Sequence, residues 1–354
     1  MMTIKLATGL FLLSAAAIVS AAEAVTVREL PPLPKPVTNN AVVVVRADAN
    51  DYIISFAGLG EGRTHADTLA ATYVFSGDTN HWSEAAAVPG GVGRLAAVAA
   101  AAGNLAYVFG GYTVADDGSE VSTVWVHSFD PRTGVFEERQ PMPVPVDDAI
   151  AISYDDRYIF LISGWHDFGN VNLVQRYDSK TDSWEQATPT PGRGVFGHSG
   201  GIVGNTIVYC DGVAIVPHTD RRRDFGANNE CFQGLIDPEN SRRIDWRRMP
   251  PHPGVPRYRM AAAGIDELNS VVFVGGSDNP YNYDGIGYDG EPSQPAADIL
   301  RYDLERQAWI TLAADTAASM DHRALVGFGG AWLTVGGMLA DQRVTDRVIA
   351  YELE

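Results

Sequence analysis

Short apolar segments that end in glycine recur along the chain. Each segment holds five or six residues, which suits a buried β-strand and is too short for a helix. The last glycines lie 48 to 64 residues apart. The six segments are Ile53–Gly58, Tyr107–Gly111, Ile159–Gly164, Ile207–Gly212, Val272–Gly276 and Leu333–Gly337.

A second pattern follows most of these segments. A strand ends in an aromatic or aliphatic residue beside Asp, a tight polar turn such as Pro131–Gly134 follows, and an aromatic residue begins the next strand. The strand ends are Phe129-Asp130, Tyr177-Asp178, Ile236-Asp237 and Tyr302-Asp303, and the later aromatic residues are Trp82, Phe136, Trp184, Trp246 and Trp309. Each unit is therefore predicted to contain four strands.

A four-stranded repeat of about 50 residues with these glycine and tryptophan positions resembles the kelch family. The resemblance covers essentially the whole mature chain and implies an all-β fold, a six-bladed kelch β-propeller. The last unit stops after its third strand, Arg347–Leu353, and Val25–Pro34 looks like a fourth strand. We therefore expect residues 25–354 to form a single propeller, closed by an N-terminal strand that completes the C-terminal blade.

Residues 1–24 are typical of a secretory signal peptide. Lys5 precedes an apolar run from Leu10 to Val19, and small residues with an A-x-A pattern follow at Ala22–Ala24. An uncleaved N-terminal anchor is the alternative. No later stretch approaches the roughly 18 apolar residues that a membrane span needs. The sequence thus predicts a periplasmic or secreted protein with no membrane span after signal cleavage.

Charge and cysteine content exclude several classes of protein. Lys and Arg number 26 against 44 Asp and Glu, a formal charge of −18, which argues against a nucleic acid partner. The two cysteines are too few for a disulfide scaffold. Cys210 ends the second strand of the fourth unit and Cys231 begins the third, so we predict a disulfide between neighbouring strands, with a free thiol as the alternative. None of the eight histidines has H-x-H or H-E-x-x-H spacing, and we expect neither a metal nor a cofactor.

The long connections between second and third strands, and those between blades, emerge on one face of such a fold. Loops held by a rigid scaffold carry function, so we place the site at this mouth of the central channel. Two loops are oversized: Val213–Glu230, which contains Arg221 and Arg222, and Ser277–Ala297. The second loop places Tyr beside Asp and Asn, a good match for a sugar ring; a self-packed loop that seals the propeller is the alternative.

The starts of the innermost strands and the ends of the second strands complete this mouth. Guanidinium groups on an acidic chain favour a small carbohydrate or glycan, an anionic one included; Arg–Asp pairs that tie blades together are the alternative explanation for the same residues. The substrate-binding candidates are Arg94, Asp148, Trp165, His166, Arg221, Arg222, Arg257, Arg259, Asp278, Tyr281, Tyr283, His322 and Arg323.

The chain also resembles the bacterial N-acetylneuraminate epimerase family, which shares the signal peptide, six kelch blades and N-terminal closing strand. That resemblance implies sugar mutarotation, which needs a base, an acid and a cation for the carboxylate. The family's Gly-Glu corresponds here to Gly212-Val213, so the expected base is absent, and Asp211 and His198 are the candidate catalytic residues in its place. Galactose oxidase also has kelch blades, but its Tyr-His pair is missing here.

Two functions therefore remain open from the sequence. The first is a cofactor-independent sugar mutarotase acting on, or binding, a carbohydrate at the mouth. The alternative is a non-catalytic scaffold that binds a glycan, or a protein partner, on the long-loop face.

Overall fold

The computed structural model describes residues 23–220 and 223–353. The signal peptide predicted for residues 1–24 lies almost entirely outside the described residues. Among those that are described, no helix has the length and apolar character needed to cross a bilayer.

Six four-stranded antiparallel blades make up the fold, as the repeat predicts. Blade 1 contains β2 Ala41–Ala47, β3 Asn50–Leu59, β4 Thr68–Ser76 and β5 His81–Glu84; blade 2 contains β6 Val98–Ala102, β7 Leu105–Phe109, β10 Val126–Asp130 and β11 Val135–Glu138; blade 3 contains β12 Ile150–Tyr154, β13 Tyr158–Ile162, β16 Val174–Asp178 and β17 Ser183–Gln186. Blade 4 contains β18 Ser199–Val203, β19 Thr206–Cys210, β22 Cys231–Ile236 and β23 Ile244–Met249; blade 5 contains β24 Ala261–Ile265, β25 Ser270–Val274, β26 Ile299–Asp303 and β27 Ala308–Ala314; blade 6 contains β28 Val326–Phe328, β29 Ala331–Val335, β32 Val348–Glu352 and β1 Glu23–Leu30. Single-turn 3₁₀ helices are found at His65–Asp67, Asp266–Leu268 and Ala340–Gln342.

The N-terminal strand closes the ring of blades. Thr26 to Leu30 of β1 pair antiparallel with β32, so β1 is the outer strand of blade 6 and the prediction is confirmed. The start of β1 also pairs in parallel with Leu312–Ala314 of β27, the outer strand of blade 5. These pairings cover strand edges that would otherwise be open to another chain.

Tryptophans of the outer strands fasten four of the six blades to the blade before them. The indole N–H groups donate to backbone carbonyls of the chain leaving the preceding blade: Trp82 to Pro31 at 2.8 Å, Trp184 to Gln140 at 2.9 Å, Trp246 to Thr188 at 3.1 Å and Trp309 to Pro250 at 3.1 Å. Such a bond satisfies a polar group that the ring carries into an apolar seam. The recurring tryptophan is therefore a fastening between blades.

Just before each innermost strand, one residue adopts a left-handed backbone conformation. The six residues have φ between 50° and 66°, and they are Asn39, Ala96, Asp148, Gly197, Arg259 and Asp321. The residue preceding each of them pairs with the residue after the glycines of the same blade, as Asp147 does with Trp165. We call these six residues the left-handed ring.

Hydrogen bonds join the left-handed ring across all six seams. Backbone N–H groups of Asn39, Asp148, Gly197 and Arg259 each donate to the ring residue of a neighbouring blade at 2.8–3.3 Å. At the other two seams, Ala96 N–H donates to Asn39 Oδ1, and His322 N–H, from the residue after Asp321, donates to the Arg259 carbonyl. The ring therefore fixes the blades around the channel at the level of the mouth.

Hairpins stand above the left-handed ring at four blades. They connect second and third strands: β8 Tyr112–Val114 with β9 Glu120–Ser122, β14 Trp165–His166 with β15 Gly169–Asn170, β20 Val213–Val216 with β21 Asp224–Ala227, and β30 Met338–Leu339 with β31 Arg343–Val344. The segment Val213–Glu230, treated above as a loop, thus contains a regular hairpin. Ser277–Ala297 is folded by isolated bridges such as Tyr281 with Gly287.

Cys210 and Cys231 form the predicted disulfide. They face each other directly in β19 and β22, and both are fully buried. The bridge pins the base of the β20–β21 hairpin.

Three buried histidines are held neutral by the fold. Burial is the main cause that lowers the pKa of His127, His198 and His322 to about 4. His252 differs because its Nε2 lies 2.6 Å from Asp211 Oδ2, and that contact raises its pKa despite burial.

Replacing both cysteines by serine should lower the free energy of unfolding by about 3 kcal/mol. The reason is that the bridge closes a loop with a sequence separation of 21. Urea unfolding of the variant and of the oxidised wild type measures this loss. Equal midpoints and slopes would contradict it.

The wild type should exceed the His198→Gln variant in free energy of unfolding by a smaller amount at about pH 4 than at about pH 6.5. An unfolded His198 takes up a proton in this window while the folded one stays neutral, so this site lowers the free energy of unfolding of the wild type by about 1 kcal/mol per pH unit and has no counterpart in the variant. Urea unfolding of both proteins at the two ends of the window measures the gap. A constant gap would contradict the prediction.

Candidate functional site

A cavity of about 340 Å³ opens at the mouth above the left-handed ring. Its size falls in the range of about 300–1,000 Å³ usual for small-molecule sites. Most of its lining residues are either aromatic or acidic. The aromatic residues are Tyr112, Trp165, Phe196, Phe225 and Tyr288, and the acidic residues are Glu120, Asp147, Asp148 and Asp167.

Charged residues of the left-handed ring form the floor of the cavity. Arg259 contacts Asp148 at 2.5 Å and Asp321 at 3.0 Å, and Arg323 contacts Asp148 at 3.0 Å. All four side chains are at most 3% exposed. Two guanidiniums thus balance two carboxylates, and the floor carries no net charge.

Gly197 makes this floor possible. Arg259 of blade 5 reaches past blade 4 to Asp148 of blade 3, and the ring residue of blade 4 is Gly197. A Cβ at Gly197 would lie 2.0 Å from the ring of Tyr258, whose hydroxyl donates to Asp148 at 3.2 Å. A side chain here would therefore displace the floor.

Two adjacent carboxyl groups in the cavity, those of Asp147 and Asp148, have pKa values shifted in opposite directions. Burial, followed by the charge of Asp148, raises the pKa of Asp147 well above its ordinary value. Arg259 and Arg323 overcome the burial of Asp148 and lower its pKa. Asp147 Oδ2 also accepts a hydrogen bond from Ser122 Oγ at 2.6 Å. The site therefore places two neighbouring carboxyl groups whose pKa values are shifted apart, Asp147 being the weaker acid.

Glu120 stands on the wall beside this pair. The residue is exposed at the mouth, but its carboxyl group faces the concave cavity, where desolvation raises its pKa. Burial, and to a smaller extent the charge of Glu120, raises the pKa of Tyr112, Tyr283 and Tyr288. Within the described part of the chain, no side chain hydrogen-bonds to the Glu120 carboxylate.

The opposite wall is aromatic. Trp165 meets Phe196 and Phe225 edge-on, with ring centroids 5.5 and 5.6 Å apart, and Phe225 lies 4.5 Å from Tyr288. The guanidinium of Arg223 lies 4.5 Å over Trp165 and 5.6 Å from Phe225. A cation from the protein therefore already lies against the aromatic rings.

The structure brings together part of the predicted site. Asp148, Trp165 and Arg259 line the cavity, and Arg323 supports its floor through Asp148. Tyr283 lies close to Glu120. Arg221 and Arg222 lie outside the described residues.

Asp211 and His198, the predicted catalytic residues, do not line the cavity. Asp211 is fully buried in the seam between blades 4 and 5, where Oδ2 accepts from the backbone N–H of Arg257 at 2.7 Å and contacts His252 at 2.6 Å. His198 follows Gly197 beneath the floor and packs against Tyr209. The prediction assigned catalysis to the end of a second strand, but that end turns into the seam between blades.

The remaining predicted residues stabilise the structure around the mouth. Arg94 is buried, donates to the Gly110 carbonyl and lies over Trp125. Arg257 pairs with Asp298 at 2.6 Å and with Asp278 at 4.0 Å, and His322 contacts Ser319 at 2.8 Å. Tyr281 is buried against Tyr258, and His166 packs against Phe168. These contacts hold loops and blades together.

Sequence reasoning missed Glu120, Asp147 and the rings of Tyr112, Phe196 and Phe225 as site residues. A positional signal was present for Tyr112, Phe196 and Asp147. Tyr112 follows the paired glycines of its blade, as Trp165 does, and pairs with the residue before the ring. Asp147 and Phe196 are the residues before the ring in blades 3 and 4. Aligning the repeats position by position identifies these three, whereas Glu120 lies in a hairpin whose length differs from that of its counterparts in other blades.

Across the described residues, no three His, Cys, Asp or Glu side chains converge in an arrangement that would hold a metal ion.

Comparisons with known proteins agree with this architecture. A family model described as Kelch motif matches residues 93–143. Kelch-like protein 15 of Danio rerio is 26% identical over 110 residues, covering 31% of this chain and 18% of the relative. Kelch-like protein 36 of Bos taurus is 25% identical over 177 residues, covering 50% of this chain and 26% of the relative. The match thus spans about a quarter or less of either relative.

A solved structure gives the likeness over the full ring. The structure titled "Structure of YjhT" superposes with a TM-score of 0.70 at 19% identity, covering 90% of this chain and 96% of that one. The strand order, the matched motif and this superposition show that the chain folds as a kelch β-propeller of six blades.

Proposed function

We propose that the mouth cavity binds a sugar and exchanges its anomers by acid–base catalysis. One observation carries the proposal: Asp147 and Asp148 are adjacent in one cavity and their acidities are shifted in opposite directions. Carboxyl groups with separated pKa values are the usual means by which a site supplies an acid and a base together. The aromatic wall of Trp165 and Phe225 offers an apolar surface for a sugar ring.

The reaction needs only proton transfers. Asp147 gives its proton to the ring oxygen while a carboxylate, Glu120 or Asp148, takes the proton of the anomeric hydroxyl. The ring C–O bond breaks, a carbonyl forms, and reclosure on the other face returns both protons. Ser122 holds Asp147 in place through its hydroxyl. No redox partner enters the balance.

The described lining residues of the cavity do not favour an acidic sugar, although the arginines in the sequence suggested such a ligand. Arg259 and Arg323 already contact Asp148 and Asp321, and Arg257 pairs outside the cavity. The described lining residues include two arginines, Arg223 and Arg259, against four carboxyl groups. A ligand carboxylate would thus meet a predominantly acidic wall.

Binding without catalysis is the second candidate, and the rim favours it. Phe168 is 77% exposed and Val121 is 54% exposed at the tops of the blade 3 and blade 2 hairpins. Exposed apolar side chains around a mouth suit a protein or glycan surface. In that case the cavity would bind sugar with no acceleration of anomer exchange.

We place the protein outside the cytoplasm, in the periplasm or secreted. The disulfide Cys210–Cys231 supports this compartment because such bridges persist in oxidising environments.

Asp147→Asn should slow anomer exchange by about 100-fold or more while leaving sugar binding intact. The amide still accepts the Ser122 hydrogen bond but cannot give up a proton to the ring oxygen. Saturation-transfer and exchange NMR on a panel of neutral, acidic and amino sugars measures binding and anomer exchange together.

Asp117→Asn is the matched control, because Asp117 is exposed in the turn of the β8–β9 hairpin and bonds only to Ser119. It should leave both quantities unchanged. If the wild-type protein binds a sugar without accelerating its anomer exchange, the protein is a binding protein and the catalytic role is refuted. Absence of binding for every sugar would refute the proposal.

A further inference from the structure

We infer that the cavity recognises a positively charged nitrogen, so that its sugar is an amino sugar with a free amine. The second half of this inference rests on the proposed function. The first half stands on the charges and rings of the cavity.

The balance of charge in the cavity favours a cation. The floor is neutral because Arg259 and Arg323 balance Asp148 and Asp321. Among the described lining residues, the walls add Glu120 and Asp167, together with the acid of Asp147, against the guanidinium of Arg223. A ligand cation would compensate this excess of carboxyl groups within a concave, partly desolvated site, where attraction is stronger than in water.

Glu120 is the group best placed to bind the cation. Its carboxyl group lines the cavity, and no side-chain partner among the described residues competes for it. Tyr112 lies on the same hairpin as Glu120, Tyr288 lines the same cavity, and Tyr283 packs against the cluster that contains Tyr112. The carboxylate therefore stands among tyrosines at one side of the cavity.

The aromatic wall supplies the second recognition element. The guanidinium of Arg223 lies 4.5 Å over the ring of Trp165, inside the range of about 6 Å for cation–π attraction. This contact shows that the wall accepts a cation. A ligand amine in this cavity would have aromatic rings and the carboxylate of Glu120 within the same lining.

The test compares glucosamine with glucose, N-acetylglucosamine and glucuronate at about pH 6.5, where an amine is largely protonated. Glucosamine should bind about tenfold more tightly than glucose or N-acetylglucosamine, since a favourable cation–π and carboxylate contact accounts for that ratio. Saturation-transfer NMR titrations give the dissociation constants. Equal affinity for glucose and glucosamine, or tightest binding of glucuronate, would overturn the inference and leave sugar binding standing.

Methylammonium is the probe that carries no sugar. If methylammonium shows saturation transfer and Trp165→Phe weakens it, the cavity recognises a charged nitrogen. If no sugar binds in the same experiments, only the proposed function is refuted. If neither methylammonium nor any of the four sugars shows saturation transfer, both the inference and the proposed function are refuted.

Glu120→Gln should bring the preference for glucosamine over glucose close to one, because the amide keeps the shape of the side chain and removes its charge. Asp117→Asn, on the same hairpin but away from the cavity, should keep the preference. An unchanged preference in Glu120→Gln would show that Glu120 does not bind the nitrogen and would overturn the inference.

Discussion

The left-handed ring is the constraint on which the rest of the molecule depends. Five of its six members are not glycine, and each accepts a backbone conformation that costs free energy for an L-residue. What compensates is a set of hydrogen bonds that crosses every seam between blades, together with the Asp148–Arg259–Asp321 contacts in the middle. The ring thereby closes the channel below the mouth and turns an open tube into a cavity with a floor.

The architecture was largely predictable because it follows from contacts that every repeat makes. Glycine at the end of the second strand, tryptophan in the outer strand and the unfinished last unit each correspond to an observed feature, including the β1–β32 pairing and the Trp184–Gln140 bond between blades. The disulfide was predictable for the same reason, since strand order alone makes Cys210 and Cys231 neighbours. What the repeat could not show was the second pairing of β1 with blade 5, because blades 1 to 4 are separate sheets with no such pairing between neighbours.

The site was less predictable because it is built from departures from the repeat. Asp148, Trp165 and Arg259 occupy repeat positions and were found. Asp211 has the same chemistry as Asp147, yet it is buried against His252 because its strand end turns into a seam. Residue type does not reveal that difference in direction. Glu120 depends on a hairpin present in blade 2, and the Arg223–Trp165 contact depends on two hairpins from different blades, so neither has a signature in one segment.

This division between ring and walls explains how such a fold acquires its chemistry. The floor is neutral and paired within itself, so its charges are already satisfied and add little selectivity. Selectivity then lies in the hairpins of blades 2, 3 and 4, which touch one another directly: Ser122 N–H donates to Asp167, and the Asn170 amide donates to the Val213 carbonyl. A substitution in one hairpin changes the wall without loosening the ring. The acidic charge of Glu120 and the cation held over Trp165 can therefore be altered separately, because they lie on different hairpins of one rigid frame.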